Sequence, residues 1–135
     1  MSIQETQEEK ETMFTLYGLG HCSTVQKALA FIAFHKAPVT LIDYAQTPLL
    51  IEWLERWKEA FGDWPVNTAS FTYRPLKNTF PSLSDAEKCR IIIEKPALVK
   101  RPVLEKDGAP VCFGFSAKKY GSLLNDELSQ LKKIL

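Results

Sequence analysis

The chain has 135 residues, 45% hydrophobic and 24% charged, with 17 basic against 16 acidic side chains and a formal net charge of +1. That length supports one domain with a core of its own, and the near-neutral balance leaves no footprint for nucleic acid or an anionic membrane surface. No apolar run approaches the roughly 20 residues of a membrane span. Three cysteines without framework spacing, and an opening stretch unlike a secretory signal, point to a reducing compartment, so the expected location is the cytoplasm.

Residues 1–12 carry four Glu and no apolar period, which implies a flexible acidic leader ahead of a single domain over 13–135. Met13-Phe14-Thr15-Leu16-Tyr17 reads as a strand. It passes through Gly18-Leu19-Gly20-His21 into a helix from about Ser23 to His35, with Val25, Ala28, Leu29 and Ile32 on one face. Val39 to Tyr44 is β-branched and apolar, a second buried strand. Thr47-Pro48 resembles an N-cap with proline at the first helical position, and Leu50, Trp53, Leu54 and Trp57 continue at helical spacing to a stop at Gly62. The prolines of Trp64 to Pro81 imply loop. Ser84-x-x-Glu87 is a capping box for a helix to about Glu94. Val103 to Lys106 and Val111 to Gly114 flank Asp107-Gly108-Ala109-Pro110, which reads as a hairpin turn, and an amphipathic helix from Ser116 or Lys118 ends the chain. The expected fold is α/β, with order β-α-β-α-α-β-β-α. The first two strands should be parallel and the later pair antiparallel, in a mixed four-stranded sheet.

Cys22 is the residue with chemistry to offer. A thiol at a helix N-terminus meets unpaired backbone N–H groups and the positive end of the macrodipole. Both favour the thiolate, which is the nucleophile. Cys89 lies on the inward stripe of its helix and Cys112 alternates in a strand, so both read as small packed hydrophobes.

The element order, Leu16-Tyr17-Gly18 leading to Cys22, Asp43-Tyr44, Asn67-Thr68 ahead of Tyr73-Arg74, the run Ile91 to Pro102 and Gly114-Phe115-Ser116 together resemble the arsenate reductase-like family. That family has a thioredoxin-like fold and takes in arsenate reductases, Spx regulators and YffB-type proteins. The resemblance implies Cys22 as catalytic thiol, Arg74 and Arg101 as anion- or substrate-binding cations, and Pro102 in the cis form facing the cysteine. His21 and Lys100 are candidate modulators of the site, with an exposed histidine and a solvated surface charge as the alternatives, and no residue is assigned to a metal.

Three departures from the family pattern bear on the chemistry. Where a third arginine would fall stands Phe113-Gly114-Phe115; Gly18 replaces a histidine four residues before the cysteine; and Val25 replaces the second thiol of a Cys-x-x-Cys switch. The resemblance, so qualified, implies a thiol-dependent oxidoreductase with one working cysteine. It needs no bound cofactor, and glutathione, glutaredoxin or thioredoxin resolves the mixed disulfide. The alternatives are a non-catalytic regulator or adaptor of the same fold, and a weak arsenate reductase.

Overall fold

The computed structural model describes residues 12–134, with side chains to residue 125, so all but the last residue of the leader expected over residues 1–12 lies outside the described residues. Strand β1 (Phe14–Gly18) leads to helix α1 (Ser23–Phe34) and strand β2 (Val39–Asp43), followed by α2 (Ile51–Phe61). Two 3-10 turns, Arg74–Leu76 and Phe80–Ser82, precede α3 (Asp85–Glu94). A third, Pro96–Leu98, then leads to β3 (Val103–Lys106), β4 (Ala109–Phe113) and α4 (Ala117–Ile134).

The strands form one sheet in the order β2-β1-β3-β4. β1 pairs parallel with β2, from Phe14↔Val39 to Gly18↔Asp43, and antiparallel with β3. Helix α1 is the crossover of the parallel pair, and a tight hairpin joins β3 to β4, which pair antiparallel as well. Asp107 (φ 53°) and Gly108 (φ 84°) both take the left-handed conformation, as a two-residue turn matched to strand twist requires. Ala109 and Pro110 therefore belong to β4 rather than to the turn. Pro110 is tolerated because β4 is an edge strand, and it sits where the register slips between Leu104 and Glu105.

Alternation along the central strands divides the core into two layers. Leu16 and Leu104 face α1 and α4, packing with Val25, Ala28, Ile32, Cys112 and Tyr120. Tyr17 and Val103 face the other way, onto Leu54, Trp57, Cys89, Ile92 and Tyr44. Glu105, on the second face, is only 2% exposed. Its carboxylate accepts from Trp57 Nε1 at 2.7 Å, Arg56 Nε at 2.9 Å and Tyr17 Oη at 3.2 Å, fastening α2 to the sheet.

Helix α2 starts later than Thr47-Pro48 suggests. Asp43 Oδ1 accepts from Ala45 N–H, and Asp43 O accepts from both Gln46 and Thr47 N–H, so residues 43–47 close a turn of their own. The helix begins only at Ile51, and it ends at Gly62 with φ 95°. Ser84 and Glu87 form both bonds of the capping box on α3.

Candidate functional site

β1, a central strand, ends where the chain must reverse into α1, and Cys22 stands at that reversal. Its N–H donates to Leu19 O at 2.9 Å and its carbonyl accepts from Gln26 N–H at 3.0 Å, the first helical bond. With φ −74° and ψ 130° it occupies the N-cap in extended conformation. The turn needs its glycines: a methyl group at Gly20 would overlap the Asp43 carboxylate, and one at Gly18 would stand 2.6 Å from Val25 Cγ2. The valine in place of a second thiol thus fills the space that a side chain at position 18 would need.

The second wall is the segment between α3 and β3. Val99 bridges Val66 and Lys100 N–H donates to Pro65 O, so the strap is tied to the preceding loop before it reaches Arg101. Arg101 Nη1 donates to Ala97 O at 2.8 Å, and Nε lies 3.4 Å from Cys22 Sγ. The Arg101–Pro102 peptide bond is cis. Partial burial pushes the Cys22 thiol up. The N–H groups of Val25 and Thr24 and the side chain and charge of Arg101 outweigh it, leaving the thiol below its ordinary value. Those two N–H groups face the sulfur without reaching full capping geometry.

The other site residues read from the sequence fall elsewhere. Arg74 is exposed, with its guanidinium 4.7 Å from the centroid of the Phe71 ring, and makes no hydrogen bond to Cys22. Lys100, one residue before Arg101, turns the other way. Its ammonium lies 5.9 Å from the centroid of Phe61, on the wall of a cavity of about 430 Å³ that Lys88 also lines. His21 is exposed. Cys89 and Cys112 are buried, and burial raises both thiols. Phe113 packs 4.8 Å from Phe61, and Phe115 packs 4.9 Å from Tyr120, so where a third arginine was looked for there are apolar contacts.

One residue escaped the sequence reading as a site residue. In the sequence Tyr44 stands out only through Asp43-Tyr44 at the end of the second strand. It is 3% exposed, its hydroxyl has no hydrogen-bond partner among the described residues, and the charges of Arg101, Cys22 and Asp43 act on it. A buried hydroxyl left unpaired costs about 1–3 kcal/mol. The signal available in the sequence was its place, at the C-terminal end of the strand beside the one that delivers Cys22.

The model of the ArsC family matches residues 17–123. An uncharacterized protein of Haemophilus influenzae is 36% identical over 110 residues, covering 80% of this chain and 96% of that protein. The solved structure of a protein named YFFB superposes with a TM-score of 0.72 at 32% identity, covering 82% of this chain and 98% of that one. A structure described as a possible arsenate reductase from Streptococcus mutans has a TM-score of 0.65 at 29% identity, covering 78% and 92%. The mixed sheet, the flanking helices and the cysteine at the first strand-to-helix turn are those of a thioredoxin-like protein, and this chain belongs to the ArsC family.

Proposed function

We propose that the chain is a thiol-dependent oxidoreductase in which Cys22 is the single working thiol. Cys22 thiolate attacks one sulfur of a disulfide, forms a mixed disulfide and expels the other sulfur as thiolate. Glutathione, or a glutaredoxin or thioredoxin, then attacks the mixed disulfide and releases Cys22 as thiolate again. The observation that carries this reading is Arg101 Nε at 3.4 Å from a half-buried sulfur at a helix N-terminus. A thiol so placed is ionised at a lower pH than an ordinary one. Arg101 also offers a substrate carboxylate a charge-assisted partner. Val25 stands where a local resolving thiol would be and Cys89 and Cys112 are buried, which favours a second thiol from another molecule over a distant cysteine of the chain. The reading goes with a reducing compartment, the cytoplasm.

The test is glutathione-dependent reduction of bis(2-hydroxyethyl) disulfide by the purified protein. Turnover that disappears in Cys22→Ser and persists in Cys89→Ser supports the proposal. Absence of turnover, together with a Cys22 alkylation profile centred near the ordinary value of about 8.5, overturns it in favour of an adaptor without thiol chemistry. Arsenate reduction is the weaker reading. With Arg74 over Phe71 and apolar rings at Phe113 and Phe115, Arg101 is the one guanidinium at the sulfur among the described residues. Its fork cannot by itself neutralise a tetrahedral dianion.

A further inference from the structure

We propose that two copies of the chain form a two-fold dimer in which their β2 strands pair antiparallel about Leu41, joining the two sheets into one.

β2 is a strand that the sequence reads as buried and the fold leaves uncovered. It stands at one end of the order β2-β1-β3-β4, and of residues 39–44 only Tyr44 is buried. Thr40 and Leu41 are exposed, Leu41 to 36%. Leu41 lies opposite Leu16, so its side chain is on the α1 face of the sheet, and Phe34 at the end of α1 is 80% exposed. Edge strands of stable monomers carry charge, proline or a bulge that stops further pairing. The opposite edge has two of these devices, since β4 carries Pro110 beside a slip in register. β2 has no such slip, and no proline or charge from Val39 to Ile42.

The hydrogen-bond pattern selects the pairing. Tyr44 N–H donates to Gly18 O at 3.1 Å, so Thr40, Ile42 and Tyr44 turn their backbone groups toward β1. Val39, Leu41 and Asp43 turn theirs outward. Of these outward groups only Asp43 O has a partner among the described residues, in the N–H groups of Gln46 and Thr47. An antiparallel copy centred on Leu41 meets all three outward residues, whereas the symmetric registers centred on Thr40 or Ile42 meet two. Leu41 N–H then donates to the second copy's Leu41 O and the reverse, and each Asp43 N–H meets the other copy's Val39 O. Charge selects the same direction. Lys36 precedes the strand and Asp43 ends it, and neither makes an ion pair among the described residues. Antiparallel strands set the Lys36 end of each copy beside the Asp43 end of the other; parallel strands would set like charge beside like.

The experiment is sedimentation of the full chain under reducing conditions, which removes disulfide-linked species, with amide exchange followed by NMR. Wild type should pass from monomer to dimer between about 10 μM and about 500 μM, the range of a small interface. Over that range exchange at the Leu41 and Asp43 amides should slow about fivefold or more, with Thr40 and Ile42, already bonded to β1, as the internal reference. Leu41→Lys should stay monomeric throughout, with a melting temperature close to that of wild type at the lowest concentration. Leu41→Pro removes an N–H that points away from β1, and it should stay monomeric too. A wild type still monomeric at about 500 μM overturns the proposal and leaves the edge to an extended segment of another protein. A dimer that Leu41→Lys leaves intact overturns it as well, as does a dimer whose formation leaves Leu41 amide exchange unchanged.

Discussion

Arg101 divides one guanidinium between a structural and a chemical partner. Nη1 on Ala97 O fixes the strap, and Nε at 3.4 Å from Cys22 Sγ favours the thiolate. Arg101→Gln should therefore raise the Cys22 midpoint and slow alkylation at neutral pH by about tenfold, while Lys100→Gln leaves it unchanged; a stopped-flow pH series reads both. The sign for stability follows from the same direction. Because the folded thiol titrates below the unfolded one, Cys22 adds stability at pH above the unfolded value, and that contribution is lost as pH falls through the folded value. Cys22→Ser should flatten that part of the stability–pH curve measured by denaturant unfolding and leave the melt near neutral pH almost unchanged, since serine suits an N-cap. Cys89→Ser should do the opposite. It places a hydroxyl at a position 6% exposed, costing about 1–3 kcal/mol with the thiol chemistry intact.

The strand-to-helix turn is an element whose parts constrain one another. Gly18 and Val25 share one volume, with 2.6 Å between Val25 Cγ2 and the place a Cβ at Gly18 would take. Val25 itself is fully buried. Gly18→Ala should consequently destabilise by about 1–3 kcal/mol in urea unfolding, by pushing the Val25 side chain against its neighbours in the α1 layer. Gly18→Ala combined with Val25→Ala should recover part of that loss, and an unrelieved double variant would show that the two residues do not compete. Much of this element was legible in the sequence, because a strand, two glycines and an N-cap position are local signals. The shared volume was not: the two residues lie seven apart on different elements, and only their packing brings them together.

At the scale of the molecule, α2 is attached to the sheet through a buried charge. Glu105 accepts from Arg56, Trp57 and Tyr17, while Arg56 remains about a third exposed at its side chain. Glu105→Ala would leave three donors without an acceptor and should cost about 3 kcal/mol or more in denaturant unfolding, more than Arg56→Ala, whose partner keeps two of its bonds. Equal losses in the two variants would show that the ion pair alone holds α2.

Helical and strand periods, the Asp107-Gly108 turn, the Ser84 box and the Gly62 stop are short-range properties, so the sequence by itself determined the order of the elements, the mixed sheet and the thiol at the first turn. The same local reasoning misplaced the start of α2, because the hydrogen bonds of Asp43 close a turn that Thr47-Pro48 does not reveal. Tertiary structure alone decided which cations meet the sulfur. Arg74, Lys100 and Arg101 are equivalent charges in a sequence. The strap's tie to Pro65 and Val66 turns Arg101 toward Cys22 and Lys100 away from it, and Arg74 settles over Phe71. It also decided that Glu105 is buried among donors and that the buried Tyr44 hydroxyl has no hydrogen-bond partner among the described residues. Whether a polar group has a partner is set by residues brought together from distant parts of the chain, and no local pattern encodes that.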